Sequence, residues 1–200
     1  MFQQGNQGFV PDELNAPAGK LAIIAQNPGS DEELAGQPLV GATGRMMESK
    51  FLPVTGFRRE EVNLLNVLKC RWQGGNKLPP AATLKPAMKH CMSAHFRLPA
   101  ATELTLVMGG LAYQAMGGEG TITDWRGHVI KRPSEPAMLP TLHLADLFRE
   151  PTMHHVTVAD WRKVKPILRG EYPRHIPNCT VNDPGWFLKA MEAPYVVVDG

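Results

Sequence analysis

The hydrophobic residues of this chain fall into four short runs that predict buried β-strands. The runs cover residues 20–25, 62–66, 104–108 and 137–141. Short apolar runs are typical of strands that are buried on both faces. Helical patterns lie between them, so the chain is predicted to have an α/β fold: a three-layer α/β/α sandwich with a mostly parallel, four-stranded central sheet.

Three helices are predicted from the spacing of apolar residues. Thr83 would cap a helix whose apolar positions, from Leu84 to Leu98, face the sheet. A short helix would follow the third strand over residues 112–116. Residues 157–160 have the pattern of a capping box, which would begin a helix that continues to Leu168 and stops at Gly170.

The composition is that of an ordinary globular protein, with 43% hydrophobic and 20% charged residues. No apolar run approaches the roughly 20 residues of a membrane span, so no membrane partner is expected. The net charge of +2 is too small to argue for nucleic-acid binding by itself. Three cysteines, an odd number without close spacing, favour a reducing compartment over a disulfide framework, which predicts a cytoplasmic protein.

The first predicted strand runs directly into two loops rich in proline and glycine. Asn27-Pro28-Gly29 places a side-chain amide at the carboxyl end of the strand, where open α/β sheets usually bind ligands. Gly41 and Gly44 then allow a close approach of the backbone and open a helix at Arg45. Alone, this segment predicts a site for an anion.

Four segments together resemble the motifs of the uracil-DNA glycosylase superfamily, and most closely those of its family 4. In chain order they are residues 25–29 (AQNPG), 36–44 (GQPLVGATG), 66–71 (NVLKCR) and 141–149 (TLHLADLFR). The resemblance covers residues 20 to 168. It implies a protein that binds DNA and hydrolyses the N-glycosidic bond of a flipped uracil without a lysine Schiff base.

The resemblance also implies roles for four polar residues. His143 stands where the family places the histidine that donates to uracil O2, and Asn66 would read the N3–H and O4 edge of the base. Gln26 stands where family 4 carries a glutamate, as the carboxylate expected to orient water or stabilise the sugar cation. Asn27 takes the place of an asparagine used by mismatch-specific relatives. We therefore predict His143, Asn27 and Gln26 as catalytic, and Asn66 and Gln26 as base-binding.

Of two apolar residues in these motifs, Leu39 departs from the family's pattern and Leu147 fits it. Leu39 replaces the aromatic residue on which a flipped base stacks, a contact worth on the order of 1–3 kcal/mol. Leu147 stands where the family places the residue that wedges into the duplex, although Leu144 replaces the proline that follows the histidine. Leu39 is thus a base-binding candidate and Leu147 a DNA-binding one, with a core leucine as the alternative for Leu147.

Contact with DNA is expected from the loops around this edge, since basic residues there would meet phosphates. The predicted DNA-binding residues are Gly41, Gly44, Arg45, Lys69, Arg71, Leu147 and Arg149, with Lys77 and Arg126 nearby.

Two cysteines suggest a lost cofactor. Cys70 and Cys91 match the last two of the four cysteines that hold an iron–sulfur cluster in family 4, but the leading C-x-x-C pair is absent. A cluster normally takes four thiolates. Cys179 and His175 would complete a zinc-like Cys3His set only if the tail reached this place. We therefore predict neither a cofactor nor a metal.

One domain with a flanking segment on each side is expected: an N-terminal arm (residues 1–19), the glycosylase-like domain (20–170), and a linker or the truncated start of a following domain (171–200). Residues 195–200, YVVVDG, resemble the first strand of a proofreading-exonuclease fold. We hypothesise that the chain is the N-terminal domain of a phage or bacterial DNA polymerase, which would then be a fused partner.

Competing functions remain open at this point. Asn66 and His143 favour an enzyme. Gln26 and Leu39 favour a DNA- or uracil-binding module that has lost catalysis and serves an attached polymerase. A glycosylase for another modified pyrimidine is the third alternative, because Leu39 would enlarge the pocket near the base.

Overall fold

One five-stranded sheet lies at the centre of the structure, a computed structural model that describes residues 8–72 and 79–171. Its strands are β1 (Glu13–Leu14), β2 (Leu21–Ala25), β3 (Asn63–Asn66), β4 (Leu104–Met108) and β5 (Ala137–Thr141), in the spatial order β1-β3-β2-β4-β5. Strands β2 to β5 are parallel to their neighbours, and β1 is antiparallel to β3. The four predicted strands and the mostly parallel sheet are confirmed; the short β1 adds a fifth strand.

Both faces of the sheet are covered, which explains why its strands are apolar throughout. In β2, Leu21 and Ile23 contact one hydrophobic cluster, whereas Ala22 and Ile24 contact a second cluster on the opposite face. This alternation is the period-2 geometry of a strand. Trp161 is fully buried in the first cluster. The arrangement confirms the three-layer sandwich.

Eight α-helices of the described residues connect and cover the strands. They are α1 (Ser30–Ala35), α2 (Ala42–Met46), α3 (Leu52–Thr55), α4 (Ala81–Ala94), α5 (Gly110–Ala115), α6 (Ile122–Trp125), α7 (His154–Arg162) and α8 (Val164–Leu168). A π-helical turn (Met47–Phe51) joins α2 to α3, and 3-10 turns cover Arg59–Glu61, Leu144–Phe148 and Pro151–Met153. None of the described helices is long and apolar enough to cross a membrane.

The helix starts predicted at Thr83 and Thr157 are wrong. Helix α4 begins at Ala81 with Pro80 before it, so Thr83 lies inside the first turn instead of capping it. Thr157 and Asp160 lie inside α7 and are buried, and the Thr157 hydroxyl donates to the carbonyl of Met153 at 2.9 Å. The pattern of a capping box can therefore arise within a helix when its polar side chains have other partners.

The segment before β2 packs against the sheet. Val10 is fully buried, and its N–H donates to the carbonyl of Lys69 at 2.7 Å. Glu13 in β1 forms a double hydrogen bond with Arg59, at 2.9 Å from Nε and 2.6 Å from Nη2. Part of the predicted N-terminal arm thus contributes to the sheet. Residues 172–200, and with them most of the predicted linker and the YVVVDG segment, lie outside the described residues, as does Lys77.

The two outer strands differ from the inner ones. Strand β1 has only two residues, and β5 contains Pro140, whose ring nitrogen has no hydrogen to donate. An isolated bridge between Ile130 and Met138 lies along β5.

Candidate active site

The carboxyl ends of the parallel strands meet along one edge of the sheet and bring the polar candidates together. Ala25 pairs with Asn66, and Met108 pairs with Thr141, so these strands end at nearly the same level. Gln26 follows β2, Asn66 ends β3, and His143 lies two residues beyond β5. The edge is the place where α/β sheets of this kind bind ligands.

Gly109, directly after β4, allows Gln26 and His143 to approach each other. Its φ is +86° and its ψ is 162°, a conformation that is essentially restricted to glycine. A β-carbon at this position would lie 2.5 Å from Nε2 of Gln26 and 3.0 Å from Cβ of His143. The two side chains therefore converge on space that only a glycine leaves open.

A hydrogen bond to the backbone fixes the tautomer of His143. Its Nδ1 accepts the N–H of Ala145 at 3.2 Å, so the proton of the neutral imidazole resides on Nε2. Burial lowers the pKa of His143, with a smaller lowering from Arg149, while Asp146 and Glu32 act in the opposite direction. The neutral form is thus favoured near pH 7, and it offers Nε2–H to a ligand.

Asn66 presents an unsatisfied acceptor. The residue is 2% exposed, and among the described residues its side-chain Oδ1 has no hydrogen-bond partner. A buried carbonyl without a partner costs about 1–3 kcal/mol. A bound ligand that donates an N–H to this oxygen would recover that energy, which makes Asn66 the best-supported binding residue of the site.

The two loops near the edge are tied together by a carboxylate that sequence reasoning missed. Glu32 accepts hydrogen bonds from the N–H groups of Gly29, Val40 and Gly41 at 3.0, 3.0 and 2.7 Å. The side chain is buried, and its position at N3 of α1, after Gly29, was the signal that could have identified it. Asn27 also stabilises its own loop, since its Nδ2 donates to the carbonyl of Pro28 at 2.9 Å.

Leu39 lies in the hydrophobic core beside the site. It is 6% exposed and adopts a φ of +54°, which is rare for a leucine. Arg59 donates to the carbonyls of Pro38 and Leu39 at 2.6 and 2.8 Å and holds this conformation. Gly44 is required by the same loop, because a β-carbon there would overlap the carbonyl oxygen of Leu39. Helix α2 begins at Ala42 after Gly41, three residues earlier than predicted.

Three of the predicted DNA-binding arginines lie beside carboxylates. Arg45 is 3.9 Å from Asp31, Arg71 is 3.5 Å from Glu33, and Arg149 is 3.8 Å from Asp146. The pairs of Arg45 and Arg149 are exposed, whereas that of Arg71 is partly buried. Exposed ion pairs contribute only about 0–1 kcal/mol, so a phosphate can replace the carboxylate of Arg45 or Arg149 at little cost.

Lys69 differs from these arginines because its side chain is 1% exposed. Its ammonium group pairs with Asp12 and donates to the carbonyl of Asn66 at 2.7 Å. Arg126 likewise pairs with the buried Asp160 at 2.8 Å. Neither cation is placed to meet a phosphate, and we leave both out of the DNA-facing set.

Leu147 and Phe148 occupy opposite environments in the turn after His143. Leu147 is 4% exposed and belongs to the hydrophobic core, whereas Phe148 is 54% exposed. The core alternative for Leu147 thus describes its position. Phe148 is the large apolar side chain that this turn offers to a partner.

Cys70 and Cys91 are the two cysteines among the described residues, and both are free thiols. Burial, followed by the charges of Cys91 and Glu33, raises the pKa of the Cys70 thiol. Within residues 8–72 and 79–171, no group of three or more His, Cys, Asp or Glu side chains is placed to hold a metal ion. Cys70 and Cys91 supply two of the usual four thiolates. Cys179 and His175 lie outside the described residues, so the expectation of no cofactor stays a prediction.

Comparison with known proteins identifies the class to which this fold and site belong. The family model described as the uracil DNA glycosylase superfamily matches residues 11–165, and the chain belongs to that superfamily. The relatives place it near family 4, as its motifs predicted. It is 27% identical over 156 residues to the type-4 uracil-DNA glycosylase of Thermotoga maritima, a match that covers 76% of this chain and 79% of that protein.

Two further relatives carry the same name. The chain is 26% identical over 164 residues to the type-4 uracil-DNA glycosylase of Sulfurisphaera tokodaii, covering 79% of this chain and 74% of that protein. It is 43% identical over 63 residues to that of Archaeoglobus fulgidus, covering 32% and 31%.

Proposed function

We propose that this protein hydrolyses the N-glycosidic bond of uracil in DNA. The observation that carries the proposal is the buried, unpartnered Oδ1 of Asn66 at the same sheet edge as the Nε2–H of His143. Uracil complements this pair, because its N3–H donates and its O2 and O4 accept. Cytosine presents an acceptor at N3 and would leave the Asn66 oxygen unsatisfied. The named activity of the relatives supports the same substrate.

The roles of the residues follow from the charges that the reaction creates. When the bond from C1′ to N1 breaks, its electron pair leaves with the base, so the sugar becomes cationic and uracil anionic. His143 donates a hydrogen bond to O2, where the negative charge develops, and stays neutral because burial lowers its pKa. Water then adds to C1′ and releases a proton, and uracil departs protonated at N1.

Water is positioned by amides in this mechanism. Asn27 uses its Nδ2 within its own loop, which leaves its side-chain oxygen as the acceptor that can hold a water. Gln26 lies against Gly109, beside which His143 also packs. Neither amide can take a proton or offer a full negative charge, so we expect slower chemistry than a carboxylate at position 26 would give.

DNA would bind across the strand-end edge. Arg45, Arg71 and Arg149 meet phosphates, for which Arg45 and Arg149 exchange their weak carboxylate contacts. The base must leave the stack to reach Asn66. We assign the filling of the resulting gap to Phe148, because Leu147 is committed to the core.

A catalytically inactive binding module is the second candidate. It is favoured by the absence of a carboxylate at positions 26 and 27 and by Glu32, whose two oxygens already accept three backbone N–H groups. Such a module would bind uracil-containing DNA through Asn66 without releasing the base. An attached polymerase would be its natural partner.

Single-turnover release of uracil separates these functions. The full chain is mixed in excess with an oligonucleotide that contains one uracil, and abasic sites are cleaved with alkali. An enzyme produces cleavage that falls roughly 10²–10³-fold in His143→Ala, the cost of one donor to a developing oxyanion. Gln26→Glu should raise the rate with little change in DNA affinity.

The outcomes are distinct for each candidate. Equal rates for the parent and His143→Ala would remove His143 from the mechanism. No cleavage by the parent or by Gln26→Glu, together with tighter binding to uracil-containing than to thymine-containing DNA, would support the module. A parent that neither cleaves nor prefers uracil would refute both.

A further inference from the structure

A buried ion pair outside the site holds the backbone of Asn66. The Nζ of Lys69 donates to the Asn66 carbonyl at 2.7 Å, and Oδ1 of Asp12 accepts the Asn66 N–H at 3.2 Å. Asp12 and Lys69 also pair with each other, with side chains 10% and 1% exposed. This one ion pair thus provides hydrogen-bond partners for both the backbone N–H and the backbone carbonyl of Asn66, whose side-chain Oδ1 has none among the described residues.

The ladder of the sheet explains why these side chains are needed. Strand β1 pairs with β3 only through Asn63 and Leu64, so its hydrogen bonds stop two residues before Asn66. Asp12 precedes β1 directly, and its side chain reaches the end of β3 instead. Lys69 comes from the segment that leaves β3, and its ammonium lies 5.4 Å from the centre of the Phe96 ring. The end of β3 is therefore held by one residue that precedes this strand in the chain and by one that follows it.

Stability alone is a poor explanation for this pair. Burial raises the pKa of Asp12 and lowers that of Lys69, because the loss of hydration outweighs their attraction for each other. Buried ion pairs of this kind are often no more stabilising than apolar residues of similar size. The presence of this charged pair at the end of β3 is better explained by the orientation that it gives to Asn66.

We propose that Asp12 and Lys69 are positioning residues that set the orientation of Asn66 toward the base. The inference rests on the proposed function, in which Asn66 reads uracil. A recognition group must be held within about 0.5 Å of its productive position to be effective. An amide that can shift or turn would lose its hydrogen bonds to uracil and their contribution in the transition state, while the phosphate contacts of the surface arginines would remain.

The test compares Lys69→Met and Asp12→Asn with the parent chain, and uses Lys20→Met as a matched control. Lys20 forms an exposed ion pair with Glu103 at 2.7 Å, at the opposite end of the sheet from Asn66. Each variant is assayed for its saturating single-turnover rate and for the protein concentration that gives half of that rate. Hydrogen exchange of the Asn66 amide is measured by NMR, because it reports the strand end without requiring activity.

We expect Lys69→Met to lower the saturating rate of uracil release by about 10–100-fold, the loss of one or two well-placed hydrogen bonds, while the half-saturating concentration stays within about 2-fold. Asn66 amide exchange should accelerate in this variant, and Lys20→Met should match the parent in all three measurements. Asp12→Asn keeps an oxygen for the Asn66 N–H and should show a smaller loss of rate. If Lys69→Met does not fold, the rate and exchange of Asp12→Asn decide the matter.

Two results would overturn the inference, and they differ from a failure of the proposed function. Folded variants with the parent's rate would show that the pair does not position Asn66. A rate and an affinity that fall together by the same factor would indicate general damage to the structure. A parent chain that releases no uracil refutes the proposed function, and the inference falls with it.

Discussion

Replacing Gly109 with alanine tests how closely the end of β4 passes the catalytic candidates. The backbone at Gly109 has a φ of +86° and a ψ of 162°, and a side chain in this region costs about 1–3 kcal/mol. The added methyl group would also lie 2.5 Å from Nε2 of Gln26 and 3.0 Å from Cβ of His143. Gly109→Ala should therefore lower the free energy of unfolding and displace both side chains.

The neighbouring Gly110 provides the control. It is the first residue of α5, and a β-carbon there would meet nothing nearer than Cγ2 of Ile122 at 3.9 Å. Gly110→Ala should stabilise the protein by about 0.4–1 kcal/mol, because alanine restricts the unfolded chain more than glycine does. The two adjacent substitutions should thus differ by about 1.5–4 kcal/mol in the free energy of unfolding.

Urea unfolding followed by tryptophan fluorescence measures this difference, since Trp161 is fully buried. Uracil release should fall in Gly109→Ala and stay at the parent's rate in Gly110→Ala. Equal stability of the two variants would refute the assigned backbone conformation. A destabilised but fully active Gly109→Ala would show that Gln26 and His143 do not depend on the space that glycine leaves.

Three further predictions concern neighbouring features. The first is pH dependence: burial lowers the pKa of His143 below its usual value of about 6.5, so its contribution to stability is complete above pH 6.5 and is lost as the pH falls through the folded-state pKa. The difference in unfolding free energy between the parent and His143→Gln should shrink from pH 7 to pH 5, and a constant difference would contradict the lowered pKa. The second prediction is that Leu147→Ala lowers the free energy of unfolding by about 2–5 kcal/mol, because Leu147 is buried in the core. Phe148→Ala should leave that free energy nearly unchanged and should weaken binding to duplex DNA that contains an abasic site. The reverse pattern would restore Leu147 as the residue that wedges into the duplex. The third is that metal analysis of the purified chain finds no stoichiometric iron, and about four irons per chain would show that ligands beyond Cys70 and Cys91 complete a cluster.

The sheet could be predicted from the sequence because strands β2 to β5 are buried along their whole length. Strands β4 and β5 begin and end at the predicted residues, since the ends of a short apolar run mark the ends of its strand. Strand β1 was missed because Glu13 and Leu14 have no apolar pattern, and their pairing with β3 depends on the distant Arg59. Helix starts were less predictable, because Thr157 and Asp160 suit a cap but find partners inside the fold.

The site was predictable in its strand-end residues and not in its supports. Residues at the carboxyl ends of parallel strands meet by topology alone, which is why Gln26, Asn66 and His143 come together. The burial of Lys69 depends on Asp12, 57 residues earlier, and no local signal announces it. Leu147 and Phe148 are adjacent apolar residues, and only the packing of the turn decides which one faces solvent.

The outer strands of the sheet bear on how this protein behaves at high concentration. An exposed strand edge is a template on which a second chain can add a strand, and such pairing leads to aggregation. At one edge, β1 offers only two residues, and one of them is the charged Glu13. At the other edge, Pro140 interrupts β5, and the bridge from Ile130 to Met138 covers part of what is left. Within the part of the chain that the structure describes, the sheet therefore ends on both sides in strands that resist the addition of a strand from a second chain.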